Sequence, residues 1–246
     1  MRKTLLALLG GIILASGSTV AGKKIHWEYS GDSGPEHWGT LDAKFRACAT
    51  GRNQSPIDLN GFIEADLKTI DFNYTTHATD ILNNGHTVQA NYAPGSKIKV
   101  DGIDFELKQF HFHTPSENHI EGQSFPMEAH FVHADSDGNL AVIAVMFREG
   151  KDNSVIGKLW SSMPENAGDN EALKGKVSAM DLLPKGRDYY RFNGSLTTPP
   201  CTEGVRWLVM KNFVGVSKKQ VKTFANIMHH ANNRPIQGTF ARPVLK

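Results

Sequence analysis

Apolar and polar residues alternate with a period of two in several segments of the chain, which predicts β-strands. The clearest of these segments are residues 97–100, 105–113, 128–133 and 207–210. Residues 140–147 are apolar almost without interruption, a pattern typical of a strand buried on both faces. The pattern therefore predicts a mainly β (α+β) chain around a large, twisted, mostly antiparallel central sheet of about ten strands.

Helical spacing is rarer, so the helices are expected to be few, short and peripheral. Ser217 and Gln220 form a capping-box signature, and apolar residues then recur on one face at helical intervals. A second helix is predicted over residues 153–162, where apolar residues again share a face.

The first residues of the chain differ from the rest and predict a signal peptide. A positive start at Arg2 and Lys3 precedes an apolar run, and small residues follow as far as Ala21. The apolar run is roughly half the ~20 residues that a membrane span requires, so no membrane anchor is expected. We therefore expect residues 1–21 to be removed and residues 22–246 to form one domain, exported to the periplasm or secreted.

The balance of charges, the hydrophobic share and the cysteine count limit the classes of protein to which the chain can belong. The 246 residues include 27 Lys and Arg against 25 Asp and Glu, which argues against a nucleic-acid binder, because such a protein needs a basic surface. The hydrophobic share of 39% is sufficient for a packed core. The two cysteines, Cys48 and Cys201, predict a disulfide in an exported protein, with two buried free thiols as the alternative.

A candidate metal site appears in two of the predicted strands. His111 and His113 are two residues apart, so both side chains point to one face, and His130 on the next strand can lie opposite them. Three neutral imidazoles around Zn²⁺ leave a fourth position for water, as in catalytic zinc sites. Gln109 and Glu128 share that face and could orient two of the imidazoles. Because the chain has 11 His, spacing alone leaves ordinary structural histidines open as the alternative.

Seven sequence blocks, in order along nearly the whole mature chain, carry a family resemblance. They are residues 29–38 (YSGDSGPEHW), 53–58 (NQSPID), 81–86 (ILNNGH), 109–117 (QFHFHTPSE), 128–133 (EAHFVH), 195–200 (SLTTPP) and 232–235 (NNRP). Together they resemble the α-class carbonic anhydrases, and the signal peptide and cysteine pair resemble the exported bacterial members. Asn233 departs from the pattern, since many animal members have Trp there, and this is expected to alter packing near the rim.

The resemblance implies reversible hydration of CO₂ to bicarbonate and a proton, by attack of a zinc hydroxide. It implies Zn²⁺ as the cofactor, held by His111, His113 and His130. Thr197 would accept a hydrogen bond from the hydroxide and donate its own to Glu117.

Further site positions are carried over from the family in the same way. His86 would carry the proton to buffer, since an imidazole titrates near neutral pH. The substrate positions implied are Thr197, Thr198, Val132, Val142, Leu196, Val205 and Trp207. The positions implied along the proton path are Tyr29, Asn83 and Gln89. The expected small-molecule partners are CO₂ and bicarbonate, and neither nucleic acid nor a membrane is expected to bind. Exported members of the family are often dimers, so the resemblance also implies that a homodimer is possible.

Three other functions stay open from the sequence. A family member that acts only as a binding module would lack metal and activity, although this chain keeps all three ligand positions. A periplasmic zinc hydrolase would prefer esters to CO₂. A metal-storage protein would bind several exchangeable ions and involve His133, His229 and His230.

Overall fold

The computed structural model describes residues 25–246, so the predicted signal peptide and the predicted start of the domain lie outside the described residues. Thirteen strands occur in this part of the chain. They are β1 (Asp58–Leu59), β2 (Asp71–Asn73), β3 (Ala78–Asn83), β4 (Val88–Tyr92), β5 (Lys97–Val100), β6 (Ile103–His113), β7 (His119–Ile120), β8 (Met127–Ala134), β9 (Leu140–Glu149), β10 (Asn170–Ala172), β11 (Tyr189–Ser195), β12 (Glu203–Met210) and β13 (Val214–Val216).

The helices are short, and each lies before β1, between β9 and β10 or after β13. They are α1 (Trp38–Leu41), α2 (Ala47–Thr50), α3 (Ser154–Trp160) and α4 (Lys218–Met228), with single 3-10 turns at Gly31–Ser33, Ala43–Phe45 and Ala179–Leu182. The capping box predicted at Ser217 and Gln220 is present at the start of α4. The stacked rings of Trp160 and Phe224, with centroids 5.5 Å apart, pack α3 against α4.

Eleven of the strands form one sheet, in the order β10-β3-β4-β6-β8-β9-β12-β11, with β13 beside β9 and β2 paired to β5 beside β6. Neighbours are antiparallel except that β12 and β13 both run parallel to β9. The mainly β fold with a large, mostly antiparallel sheet is therefore confirmed. β12 lies between β9 and β11 and runs parallel to β9, a placement that the strand pattern in the sequence did not indicate.

Alternation along the central strands divides the core between the two faces of the sheet. On β6, Phe110 and Phe112 enter the larger hydrophobic cluster, whereas His111 and His113 point to the other face. On β9, alternate residues enter a large and a small cluster, which explains the unbroken apolar run predicted to be buried on both faces. The smaller cluster and the histidines consequently share one face.

The two cysteines form a disulfide, so the alternative of two free thiols is wrong. Cys48 lies in α2 and Cys201 in the loop between β11 and β12, and 153 residues of sequence separate them. The bond joins the N-terminal segment to the loop that also contains Thr197 and Thr198. Among residues 25–246, no helix is long and apolar enough to cross a bilayer.

Candidate metal centre

The pairing of β6 with β8 brings the three predicted ligands together. His111 and His130 are direct partners in the antiparallel register, and His113 follows on the same face of β6. The ring centroids of His113 and His130 are 4.5 Å apart, and those of His111 and His130 are 5.3 Å apart. One nitrogen from each ring lies within 4.8 Å of the other two, close enough for all three to bind one ion.

The second nitrogen of each imidazole has its own partner. His111 Nδ1 lies 2.8 Å from Gln109 Oε1, and His130 Nε2 lies 2.9 Å from Glu128 Oε1. His113 Nδ1 donates to the backbone carbonyl of Asn232 at 2.7 Å, a partner that the sequence analysis missed. Since these oxygens accept, Nε2 of His111, Nε2 of His113 and Nδ1 of His130 are the nitrogens left to face a common centre.

Burial keeps the three imidazoles neutral. It lowers the pKa of His113 and lowers the pKa of His111 and His130 well below the usual histidine range, with repulsion from neighbouring imidazoles as a further cause for the last two. His113 Nε2 is buried and has no hydrogen-bond partner within the described part of the chain. A buried, neutral and unpaired nitrogen beside two others is the donor set that Zn²⁺ takes, so these residues fit a zinc ion.

Glu128 is fixed by three hydrogen bonds in addition to the one with His130. Its Oε2 accepts from the backbone N–H groups of Glu117 and Asn118, each at 2.8 Å, and its Oε1 accepts from the Asn118 side chain. Burial raises the pKa of Glu128, and these hydrogen bonds oppose that rise. The carboxylate thus orients His130 from a fully buried position.

Glu117 lies beside the histidines and interacts with Thr197. Its Oε2 is 3.5 Å from His113 Nε2 and 3.8 Å from His130 Nδ1, while its Oε1 accepts from the Arg234 backbone N–H at 2.8 Å. Burial raises the pKa of Glu117 to about 8, although hydrogen bonds from the Arg234 backbone and the Thr197 side chain lower it. A cation held by the histidines would oppose this rise and favour the ionised carboxylate.

An apolar wall adjoins the histidines on the same face of the sheet. The five apolar residues among the implied substrate positions all belong to the smaller hydrophobic cluster or pack against it: Val132, Val142, Leu196, Val205 and Trp207. The Trp207 ring meets the His130 ring edge to face, with centroids 4.8 Å apart. The arrangement places apolar surface directly beside the candidate metal centre.

His86 lies at the rim, on the turn between β3 and β4. The Asn84 side chain accepts from the backbone N–H of His86 at 2.9 Å and shapes this turn. The His86 ring stacks on Trp27, with centroids 3.7 Å apart, and the Tyr29 ring is 6.5 Å away. Tyr29 is close enough to Glu117 that the carboxylate, together with the larger effect of burial, raises the pKa of its phenol well above the usual value.

The two other residues predicted on the proton path lie in different surroundings. Gln89 on β4 is the register partner of His111, so it lies next to the metal centre. Asn83 is buried, and its side chain donates to the carbonyls of Pro164 and Glu165 and accepts from the backbone N–H of Gly85. These contacts support the turn that carries His86, and the place of Asn83 on the proton path stays a prediction.

Comparison with known proteins decides the family. The sequence profile of the eukaryotic-type carbonic anhydrases matches residues 33–246. The chain belongs to the α-carbonic anhydrase family. A carbonic anhydrase of Pectobacterium carotovorum is 43% identical over 99% of this chain and 98% of that protein.

Solved structures of carbonic anhydrases agree with this assignment. A hyperthermostable carbonic anhydrase from an active hydrothermal vent chimney is 54% identical, with a TM-score of 0.88 over 89% of this chain and 99% of that one. The α-carbonic anhydrase of Thermovibrio ammonificans, solved with the inhibitor sulfanilamide, is 46% identical, with a TM-score of 0.90 over 91% and 100% of the two chains. The chain is therefore an enzyme of this family, which supports CO₂ hydration as its activity.

Arg234, within the block of residues 232–235, is a further site residue, and its role was not evident from the sequence. Its side chain is buried and donates to Gln54 Oε1 at 2.9 Å, to the Ser55 carbonyl at 2.8 Å and to the Cys48 carbonyl at 3.0 Å. Its backbone N–H holds Glu117. Burial lowers the pKa of Arg234 to about 10, so it stays a cation at neutral pH and ties the disulfide segment to the carboxylate beside the histidines.

Replacing Arg234 with methionine is expected to lower the free energy of unfolding by about 3 kcal/mol or more, because it leaves three buried acceptors without a donor. It should also lower kcat for hydration by about tenfold, since the side-chain bonds to Gln54, Ser55 and Cys48 anchor the segment whose backbone N–H holds Glu117, and without that anchor the carboxylate loses its fixed position. Urea unfolding and stopped-flow hydration measure the two effects.

Arg242→Met is the matched control for Arg234→Met. The Arg242 side chain donates to the carbonyls of Gln54 and Asn193, but no hydrogen bond joins it to Glu117 among the described contacts. This control should therefore lose stability and keep kcat. Equal kcat values in the two variants would show that Arg234 acts on stability alone.

Proposed function

We propose that the enzyme hydrates CO₂ reversibly to bicarbonate and a proton with a zinc ion held by His111, His113 and His130. The observation that carries this proposal is the convergence of three neutral imidazoles, His113 and His130 buried and His111 half-buried, beside an apolar wall. When bound, zinc supplies a Lewis acid that lowers the pKa of a coordinated water, for which about 7 is the reference value in carbonic anhydrases, and so provides a nucleophile at neutral pH.

Thr197 and Glu117 orient the nucleophile. An ionised Glu117 carboxylate has no proton, so it accepts hydrogen bonds and donates none. The Thr197 hydroxyl therefore donates its hydrogen to this carboxylate and keeps its oxygen free to accept another hydrogen bond. A nucleophile that donates to this oxygen has its lone pair turned toward the apolar wall, where CO₂ can bind. We assign Thr198 and the Thr197 backbone N–H to the same substrate position.

The apolar wall suits CO₂ because this substrate is apolar and offers little to hydrogen-bond. Val132 and Leu196 are partly exposed, whereas Val142, Val205 and Trp207 are buried in the cluster against which they pack. Bicarbonate is an anion and gains little from such a surface, so the product should leave easily.

His86 completes the cycle by moving a proton out of the site. An imidazole accepts and releases a proton near neutral pH, and His86 is half-buried on a turn whose backbone is bonded to Asn232, the residue that also holds His113. Tyr29 and Gln89 flank the water path that we assign to this transfer.

We also propose that residues 1–21 direct export and that the enzyme acts in the periplasm or outside the cell. The disulfide between Cys48 and Cys201 supports this location, because such bonds persist in oxidising compartments.

The experiment that tests the proposed function is stopped-flow CO₂ hydration by residues 22–246 before and after removal of zinc with a chelator, and after its return. Hydration should disappear with the metal and return with one zinc per chain, whereas added Mg²⁺ should restore nothing because three imidazoles are poor ligands for it. Fully zinc-loaded protein that does not hydrate CO₂, or that cleaves esters faster, would overturn the proposal.

A further inference from the structure

Five rings pack together around the turn that carries His86, and we call them the rim ring cluster: Trp27, Tyr29, Trp38, His86 and His230. Tyr29 contacts all the others, at centroid distances of 5.5 Å from Trp27, 5.8 Å from Trp38, 6.5 Å from His86 and 5.8 Å from His230. Two imidazoles therefore flank the same tyrosine, and only one of them has a role in the proposed function.

His230 is placed differently from His86 within this cluster. It follows His229, which ends α4 in the left-handed conformation with φ of 60°, and it is half-exposed to solvent. Its Nδ1 lies 3.1 Å from the carbonyl of Ala231. A carbonyl can only accept, so this contact keeps the proton on Nδ1 and leaves Nε2 as the basic nitrogen.

The segment that carries His230 is bound to both the rim and the metal centre. The Asn232 side chain donates to the backbone carbonyl of His86 at 3.0 Å, and its backbone carbonyl accepts from His113. Asn232 is fully buried, so these bonds hold His230 and His86 at a fixed separation on one frame.

The geometry points to His230 as a second proton-transfer residue of this enzyme, parallel to His86 and reached through water past Tyr29. This inference rests on the proposed function, because it needs a proton to be produced at the metal centre. The proton that leaves the site water binds Nε2 of His230 and passes from the cationic ring to a buffer base, and no other bond changes. Stacking on Trp27 restrains the His86 ring, whereas His230 faces solvent and can meet buffer directly.

Two parallel routes make a specific kinetic prediction. In dilute buffer, where proton transfer limits kcat, His230→Ala alone should lower kcat by less than about twofold, because His86 still works. His86→Ala should lower it by about fivefold, and the double variant by about fiftyfold, since both routes are then lost. The ratio kcat/KM should stay unchanged in all three, and added imidazole should restore kcat.

Two further variants in the His86→Ala background separate proton transfer from packing. His230→Phe keeps a ring against Tyr29 but cannot carry a proton, so its kcat should match that of the His230→Ala double variant. His229→Asn is the matched control, because Asn tolerates the left-handed conformation and the change removes an imidazole next to His230. Its kcat should equal that of His86→Ala alone.

The outcomes distinguish this inference from the function on which it rests. If His86→Ala and its double variant with His230→Ala have the same kcat, or if His230→Phe retains the higher rate, the second route does not exist. A fall in kcat/KM would also overturn it, since His230 would then act on the hydration step. If imidazole fails to rescue His86→Ala, the proposed role of His86 fails as well.

Discussion

Alanine in place of His130 is expected to lower CO₂ hydration by about a thousandfold or more and to reduce the zinc content of the purified enzyme well below one ion per chain. The Lewis acid supplies several kcal/mol of stabilisation to the transition state, and about 1.4 kcal/mol corresponds to each tenfold in rate. Two nitrogens from β6 cannot complete the site, and the Glu128 carboxylate loses the imidazole that it orients. Stopped-flow hydration and elemental analysis of zinc measure the two losses.

His133→Gln is the matched control because His133 is buried on the same strand but takes no part in the centre. Its Nε2 is 2.7 Å from the Tyr74 hydroxyl, and burial lowers its pKa to about 3. This variant should be less stable yet keep one zinc and its activity. A metal-storage protein would instead lose zinc in proportion when His133 is changed, and equal zinc loss in both variants would contradict the assigned ligand set.

Removal of the disulfide is the second change with a large expected effect. Replacing both Cys48 and Cys201 with alanine frees a loop that spans 153 residues of sequence. The chain-entropy treatment gives about 5 kcal/mol for such a loop, and native disulfides contribute about 2–5 kcal/mol when removed. In a chain of this size that corresponds to a fall in Tm of roughly 10 °C, measured by calorimetry at fixed zinc concentration.

A reductant provides the control for this experiment. It should lower the Tm of the natural enzyme to the level of the double variant and leave the variant unchanged. Zinc should remain bound below the transition, because the three histidines lie on β6 and β8 and not on the segments that the disulfide joins. A double variant with an unchanged Tm would show that the bond contributes nothing to stability.

The sequence predicted the parts of the fold and site that depend on local alternation. His111, His113 and His130 share a face because strand residues two apart do so, and the same rule places Gln109 and Glu128 beside them. The unbroken apolar run of β9 likewise indicated a strand buried on both faces. Alternation predicts which side of the sheet each side chain faces. For neighbouring antiparallel strands it also predicts which residue of the next strand lies opposite.

What the sequence did not predict depends on pairing over long separations or on the backbone. The parallel placement of β12 beside β9 has no local signature, since a strand carries the same pattern whichever neighbour it has. The Asn232 carbonyl that holds His113 belongs to the backbone, which every residue type possesses. Stacking of Trp27 on His86 likewise arises from tertiary packing that joins the start of the described chain to a distant turn.

The contacts of Asn232 and Arg234 also set the order in which a growing chain can build the site. The three histidines are synthesised by residue 130, but the groups that hold His113 and Glu117 in place are added more than 100 residues later. Outer partners of this kind change metal affinity by about 10–100-fold. If the three histidines hold zinc as proposed, the site is unfinished until almost the whole polypeptide has been synthesised, and tight retention of the ion must await that point. Metal loading is in this sense a late step of the biogenesis of the enzyme.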